Sequence, residues 1–119
     1  MFLLIACQPS VEELSGVYIK TPSINTIDTL YLYPNGTYEQ AIYYKSGKFF
    51  AKNVNKWIID GHNIDFMDLF LHHDLDLSER AKPTTGRLDK SSLMPSLLPI
   101  KGRKIVIDYD RKIYYEKVD

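Results

Sequence analysis

Apolar and polar positions alternate with a period of two over most of the chain, the pattern of strands with one face in a core and one in water. Leu14-Ser15-Gly16-Val17-Tyr18-Ile19 reads as a first strand, stopped by Thr21-Pro22-Ser23. The clearest hairpin runs from Thr26 to Lys45. Leu30 and Leu32 alternate with Thr29, Tyr31 and Tyr33, and Tyr38, Ile42 and Tyr44 alternate with Thr37, Glu39, Ala41 and Tyr43. Between the arms, Tyr33-Pro34-Asn35-Gly36 has Pro at the second turn position and Gly where a left-handed residue is needed. Phe49-Phe50 predicts a short strand, and Asn55 to Asp60 another, with Trp57 and Ile59 on one face.

After the turn at Gly61-His62-Asn63, the segment Ile64 to Leu71 changes parity. Ile64, Phe66 and Phe70 share one face, while Met67, Leu69 and Leu71 share the other. A strand that bulges near Asp68 reconciles the two, and a helical end is the alternative. Pro83, Pro95 and Pro99 predict an irregular, Pro-containing loop near residues 78–101, because proline removes a ladder donor. Lys104 to Asp108 and Ile113 to Val118 form a closing hairpin. The expected fold is all-β: a small antiparallel up-and-down barrel or rolled sheet of seven or eight strands.

Composition narrows the function. The 119 residues suit one domain, with 45% apolar side chains to supply its core. Fifteen basic and fifteen acidic residues cancel, which argues against nucleic-acid binding. Charge is nevertheless segregated. From Asp60 to Glu79 the only charged residues are acids, whereas Arg80, Lys82, Arg87, Lys90, Arg103 and Lys104 make a basic stretch suited to an acidic partner or lipid headgroups, or to pairing with the neighbouring acids. Tyr31, Tyr33 and Tyr43 share the outer face of the first hairpin, as a binding surface or as cross-strand packing.

Candidate catalytic chemistry is sparse. His62, His72, His73, Asp74 and Asp76 have metal-ligand composition. Adjacent His72 and His73 point to opposite faces of a strand, so a polar strand end is the simpler reading, and a metal-dependent hydrolase is the minor one. Asp65 with Asp68 is an equally weak acid pair. No phosphate loop or serine elbow is present, and no cofactor is expected.

The only cysteine, Cys7, ends Phe2-Leu3-Leu4-Ile5-Ala6-Cys7. Leu4-Ile5-Ala6-Cys7 resembles the lipobox of bacterial lipoproteins, in which the peptidase cuts before Cys and the thiol carries the lipid. No Lys or Arg precedes it, so residues 1–6 read as a truncated lipoprotein signal peptide, residues 7–13 as the lipidated Cys and its tether, and 14–119 as the single β-domain. The alternative is a short apolar strand with a buried thiol.

With the lipobox, Gly16-Val17-Tyr18, the Leu30 to Tyr38 hairpin, Lys56-Trp57-Ile58-Ile59 and Gly61-His62-Asn63-Ile64 together resemble the small lipocalin-like lipoproteins of bacteria. The resemblance covers Leu14 to Leu71. It implies a non-enzymatic protein of the cell envelope, lipid-anchored at the outer membrane or cell surface through Cys7, with a structural role or a small apolar ligand. Tyr18, Tyr38, Trp57 and Phe66 are the candidates for its core or cavity. A protein-interaction module, inhibitor or immunity-like, using the Tyr face or the basic stretch is the alternative.

Overall fold

The computed structural model describes residues 8–71 and 93–118. Cys7, His72, His73, Asp74 and Asp76, and residues 78–92 of the expected loop, lie outside the described residues. A single turn of helix, α1 (Val11–Leu14), precedes the strands. It overlaps the expected tether and takes in Leu14, expected to open the first strand, and it is fixed by a capping box: the Glu13 amide donates to Ser10 Oγ at 3.1 Å, and the Ser10 amide to Glu13 Oε1 at 2.9 Å. The Ser10 amide first, and then the Ser10 hydroxyl, hold the Glu13 carboxyl below its usual value.

Among the described residues, eight antiparallel strands follow: β1 (Gly16–Thr21), β2 (Thr26–Leu32), β3 (Thr37–Tyr44), β4 (Phe49–Asp60), β5 (Asn63–Phe70), β6 (Leu93–Lys101), β7 (Lys104–Asp108) and β8 (Ile113–Lys117). Each pairs with its sequence neighbours, and β8 returns to β1, closing an up-and-down barrel. One end, the base, carries α1, the turn at 33–36 and the turns after β4 and β6. The opposite rim carries the turns after β1, β3 and β7.

Two strands change partners along their length. β4 pairs with β3 from Phe49 to Lys56, then with β5 from Trp57 to Asp60. β6 pairs with β5 as far as Pro99 and with β7 only through Ile100 and Lys101. These are corners where a strand passes from one sheet to the next.

β6 corrects the expectation of an irregular loop, since its last nine residues form a strand despite Pro95 and Pro99. The Ile100 amide donates to the His62 carbonyl at 2.9 Å, so even-numbered donors face β5. Strand alternation then turns the nitrogens of Pro95 and Pro99 toward β7, where pairing stops at Ile100. The missing donors fall where no ladder bond is made. Phe49 and Asp60, expected on separate strands, end one strand of twelve residues.

The bulge in β5 is as expected. Register shifts between Phe66 and Leu69, and Asp68 adopts φ 52°, a left-handed conformation that Asp tolerates better than most residues. One extra residue moves the inward set from Ile64 and Phe66 to Leu69, which explains the double parity.

Candidate functional site

The base half of the interior is apolar and filled. Tyr18, Tyr38, Trp57 and Phe66 are all buried in one cluster with Leu30, Leu32, Ile64, Leu69 and Ile105. The Tyr38 and Phe66 rings meet edge to face at 5.3 Å. Trp57 Nε1 donates to the Tyr33 carbonyl at 3.1 Å and the Tyr18 hydroxyl to the Leu14 carbonyl at 2.7 Å, closing the base over the core.

Next toward the rim comes a polar layer, and beyond it a second, smaller apolar cluster of Ile42, Tyr44, Phe50 and Ala51 with Phe70 packed against it. Beyond Phe66, β5 leaves β4, and side chains from β3 and β4 take the place of the lost ladder. The Tyr38 hydroxyl donates to the Met67 carbonyl at 2.6 Å, and Asn53 Nδ2 to the Asp68 carbonyl at 2.8 Å. Gln40 pairs with the Phe70 backbone at both ends of its amide, donating to the carbonyl at 2.8 Å and accepting from the N–H at 3.2 Å. Its second amide hydrogen is shared between the Tyr115 hydroxyl at 3.0 Å and Asp28 Oδ2 at 3.3 Å, because an amide nitrogen has two hydrogens for these three acceptors. Tyr115 in turn donates to Asp28 at 2.8 Å. Lys20, opposite Tyr115 in the β1–β8 register, is buried beside them. Burial, reinforced for Tyr115 by the Asp28 charge, raises the phenols of Tyr38 and Tyr115 well above the ordinary value.

Sequence reading passed over this cluster, although the signal was present. Gln40 has the parity of Tyr38 and Ile42, and Asp28 that of Leu30, so polar side chains at inward positions mark a buried network.

On the outside of the β4–β5 corner, an apolar groove of about 480 Å³ is lined by Gly36, Lys56, Trp57, Ile58, Asp65, Phe66, Met67 and Pro95. Two of the four cavity candidates, Trp57 and Phe66, therefore border a groove on the barrel's outer side, whereas Tyr18 and Tyr38 do not. Ile58, Met67, Met94 and Leu97 are each more than half exposed. Register places Ile58, Asp65 and Leu97 in one row across β4, β5 and β6, so the apolar surface extends beyond the groove. Its volume lies in the range of ligand pockets, roughly 300–1,000 Å³.

The tyrosines of the first hairpin form two separate ring pairs, since Tyr43 lies four residues along β3 from Glu39, the register partner of Tyr31. Tyr31 and Tyr33 stack at 6.3 Å, and Tyr43 packs against Phe49 at 5.5 Å. Of the basic stretch, Arg103 donates to the Lys117 carbonyl and Lys104 lies over the Tyr114 ring. Among the described residues, no three His, Cys, Asp or Glu side chains gather to hold a metal ion. His62 lies exposed in the β4–β5 turn, Asp65 faces solvent, and Asp68 occupies the bulge. No protein-family model, curated protein or solved structure matches the chain.

Proposed function

We propose that this chain is a non-catalytic, lipid-anchored envelope protein whose barrel binds a protein partner through the outer face of β4, β5 and β6. The observation that carries the reading is the apolar groove bordered by Trp57 and Phe66 and continued by exposed Ile58, Met67, Met94 and Leu97. A barrel interior filled by Tyr38, Phe66 and the Gln40 network favours recognition on the outside. A concavity set in a wider apolar surface suits one buried anchor side chain with a surrounding contact area. Lys56 and Asp65 at its border supply one charge of each sign to fix orientation. Lipid on Cys7, three residues before the cap of α1, would hold the base toward the membrane and leave this lateral face free to meet other envelope proteins.

A benzophenone amino acid placed at Ile58 and irradiated in the producing cells tests this. One discrete protein adduct is expected, and Met67→Glu should abolish it. Adducts with lipid or a small molecule alone would instead support the apolar-ligand reading. An adduct formed only from a probe at Tyr43 would move the interface to the Tyr face and overturn the proposal.

A further inference from the structure

A second concavity, of about 490 Å³, lies on the outer side of the C-terminal hairpin, separate from the apolar groove. Val106 and Tyr114, register partners on β7 and β8, form its floor. Lys101, Lys104 and Lys112 line it, together with Tyr109 and one carboxylate, Asp108. It exists because β6 and β7 stop pairing after Ile100, and because β7 shifts register between Val106 and Asp108.

Two observations give this concavity a sign. Lys101 and Lys104 are direct cross-strand partners, and Glu116 faces Lys104 from β8, so the row Lys101, Lys104, Glu116 keeps one positive charge in excess. Lys104 Nζ stands 4.5 Å from the centre of the Tyr114 ring, so its ammonium is turned over the floor. Asp108, the one carboxylate there, is already engaged: its Oδ1 accepts from the Arg111 amide at 3.2 Å and its Oδ2 lies 3.7 Å from Arg111 Nε. Three lysines thus line the concavity, Lys101 and Lys104 beside the β6–β7 turn and Lys112 in the β7–β8 turn, and the one acid among its lining residues, Asp108, is turned to the β7–β8 turn.

We propose that this concavity binds a phosphate group, with Lys104 at its centre, Lys101 and Lys112 at its two ends, and the Tyr109 and Tyr114 rings against the apolar part of the phosphorylated molecule. Lysine ammoniums act on such an anion as point charges without demanding one geometry. Both a soluble phosphate ester and a phospholipid headgroup carry that chemistry. Phosphate bridging Lys101 and Lys104 also removes their mutual repulsion, so binding stabilises the β6–β7 turn.

The test uses amide chemical shifts during titration with glycerol 3-phosphate, beside co-sedimentation with phosphatidylglycerol and phosphatidylcholine vesicles. Saturable shifts at Lys104, Val106 and Tyr114, weakened at least tenfold in Lys101→Gln/Lys104→Gln, would establish a soluble phosphate ester as ligand. Co-sedimentation with phosphatidylglycerol alone, lost in the same variant, would establish the headgroup. The control Lys45→Gln makes a charge change at the rim, between β3 and β4, and should leave both readouts unchanged. Equal weakening by Lys45→Gln, or no response in either arm, would overturn the site.

Discussion

Replacing Gln40 by leucine tests whether the polar layer of the interior holds β5 in place. Gln40 is fully buried, and its amide satisfies both the N–H and the C=O of Phe70, where β5 has no strand partner on the β4 side. Leucine has similar bulk and no polar atom. Both Phe70 groups would then be buried without those partners, at about 1–3 kcal/mol each, and greater apolar burial would offset part of that cost. A net loss of about 2–4 kcal/mol is expected, a large fraction of the roughly 5–15 kcal/mol typical of a domain. Urea unfolding followed by fluorescence of the single tryptophan, Trp57, reads this directly. Amide exchange at Phe70 should accelerate more than at Leu30 or Tyr18. Lys52→Ala breaks only an exposed pair with Glu39 at 3.4 Å and should cost under about 0.5 kcal/mol. If Gln40→Leu costs no more than that control, or if Phe70 exchange stays unchanged, the network is not what fixes β5.

Three further outcomes are expected. Because burial raises the phenols of Tyr38 and Tyr115 above the unfolded value of 10.0, their contribution is full below that pH and is lost as pH climbs past it toward the folded values. Alkaline titration should therefore show stability falling above pH 10, with the last tyrosinate absorbance appearing only on unfolding; early ionisation of every tyrosine would contradict this. At the bulge, Asp68→Gly should be tolerated, while Asp68→Val should lose about 1–2 kcal/mol in thermal or urea melts, since a β-branched residue resists φ 52°. Pro95→Val restores a donor on the unpaired side of β6 and should increase aggregation, measured by light scattering, relative to Pro95→Asp.

The parts of the fold legible in the sequence were those set by neighbouring residues. The Tyr33–Gly36 turn is closed by the Gly36 amide on the Tyr33 carbonyl, with Gly36 at φ 89°, as its proline and glycine require. The β5 bulge was legible because two parities in one strand admit few solutions. β6 was not, because whether proline disrupts a strand depends on which neighbour its nitrogen faces, and that is decided by Asn63 and Ile64 some thirty-five residues away. For the same reason Trp57 and Phe66 could be read as buried, but not as the wall of an outer groove. That role appears only when β4 exchanges β3 for β5 at Lys56 and Trp57. The Ser10-Val11-Glu12-Glu13 capping box was equally legible, but the four-residue helix it starts is too short for a helical period to show between the tether and the first strand.

Closure of β1 on β8 brings the entrance to the first strand beside the exit from the last, with Lys117 Nζ donating to the Glu13 carbonyl at 2.8 Å and the Val118 amide to Val17. A short linker across that junction, with the chain reopened at Ser46-Gly47, would give a circular permutant with the same barrel and both termini at the opposite pole. If lipid holds the chain as proposed, anchoring there would stand the molecule upside down on the membrane. The proposed phosphate site would keep its chemistry and lose its address, which separates what the barrel recognises from where it is held.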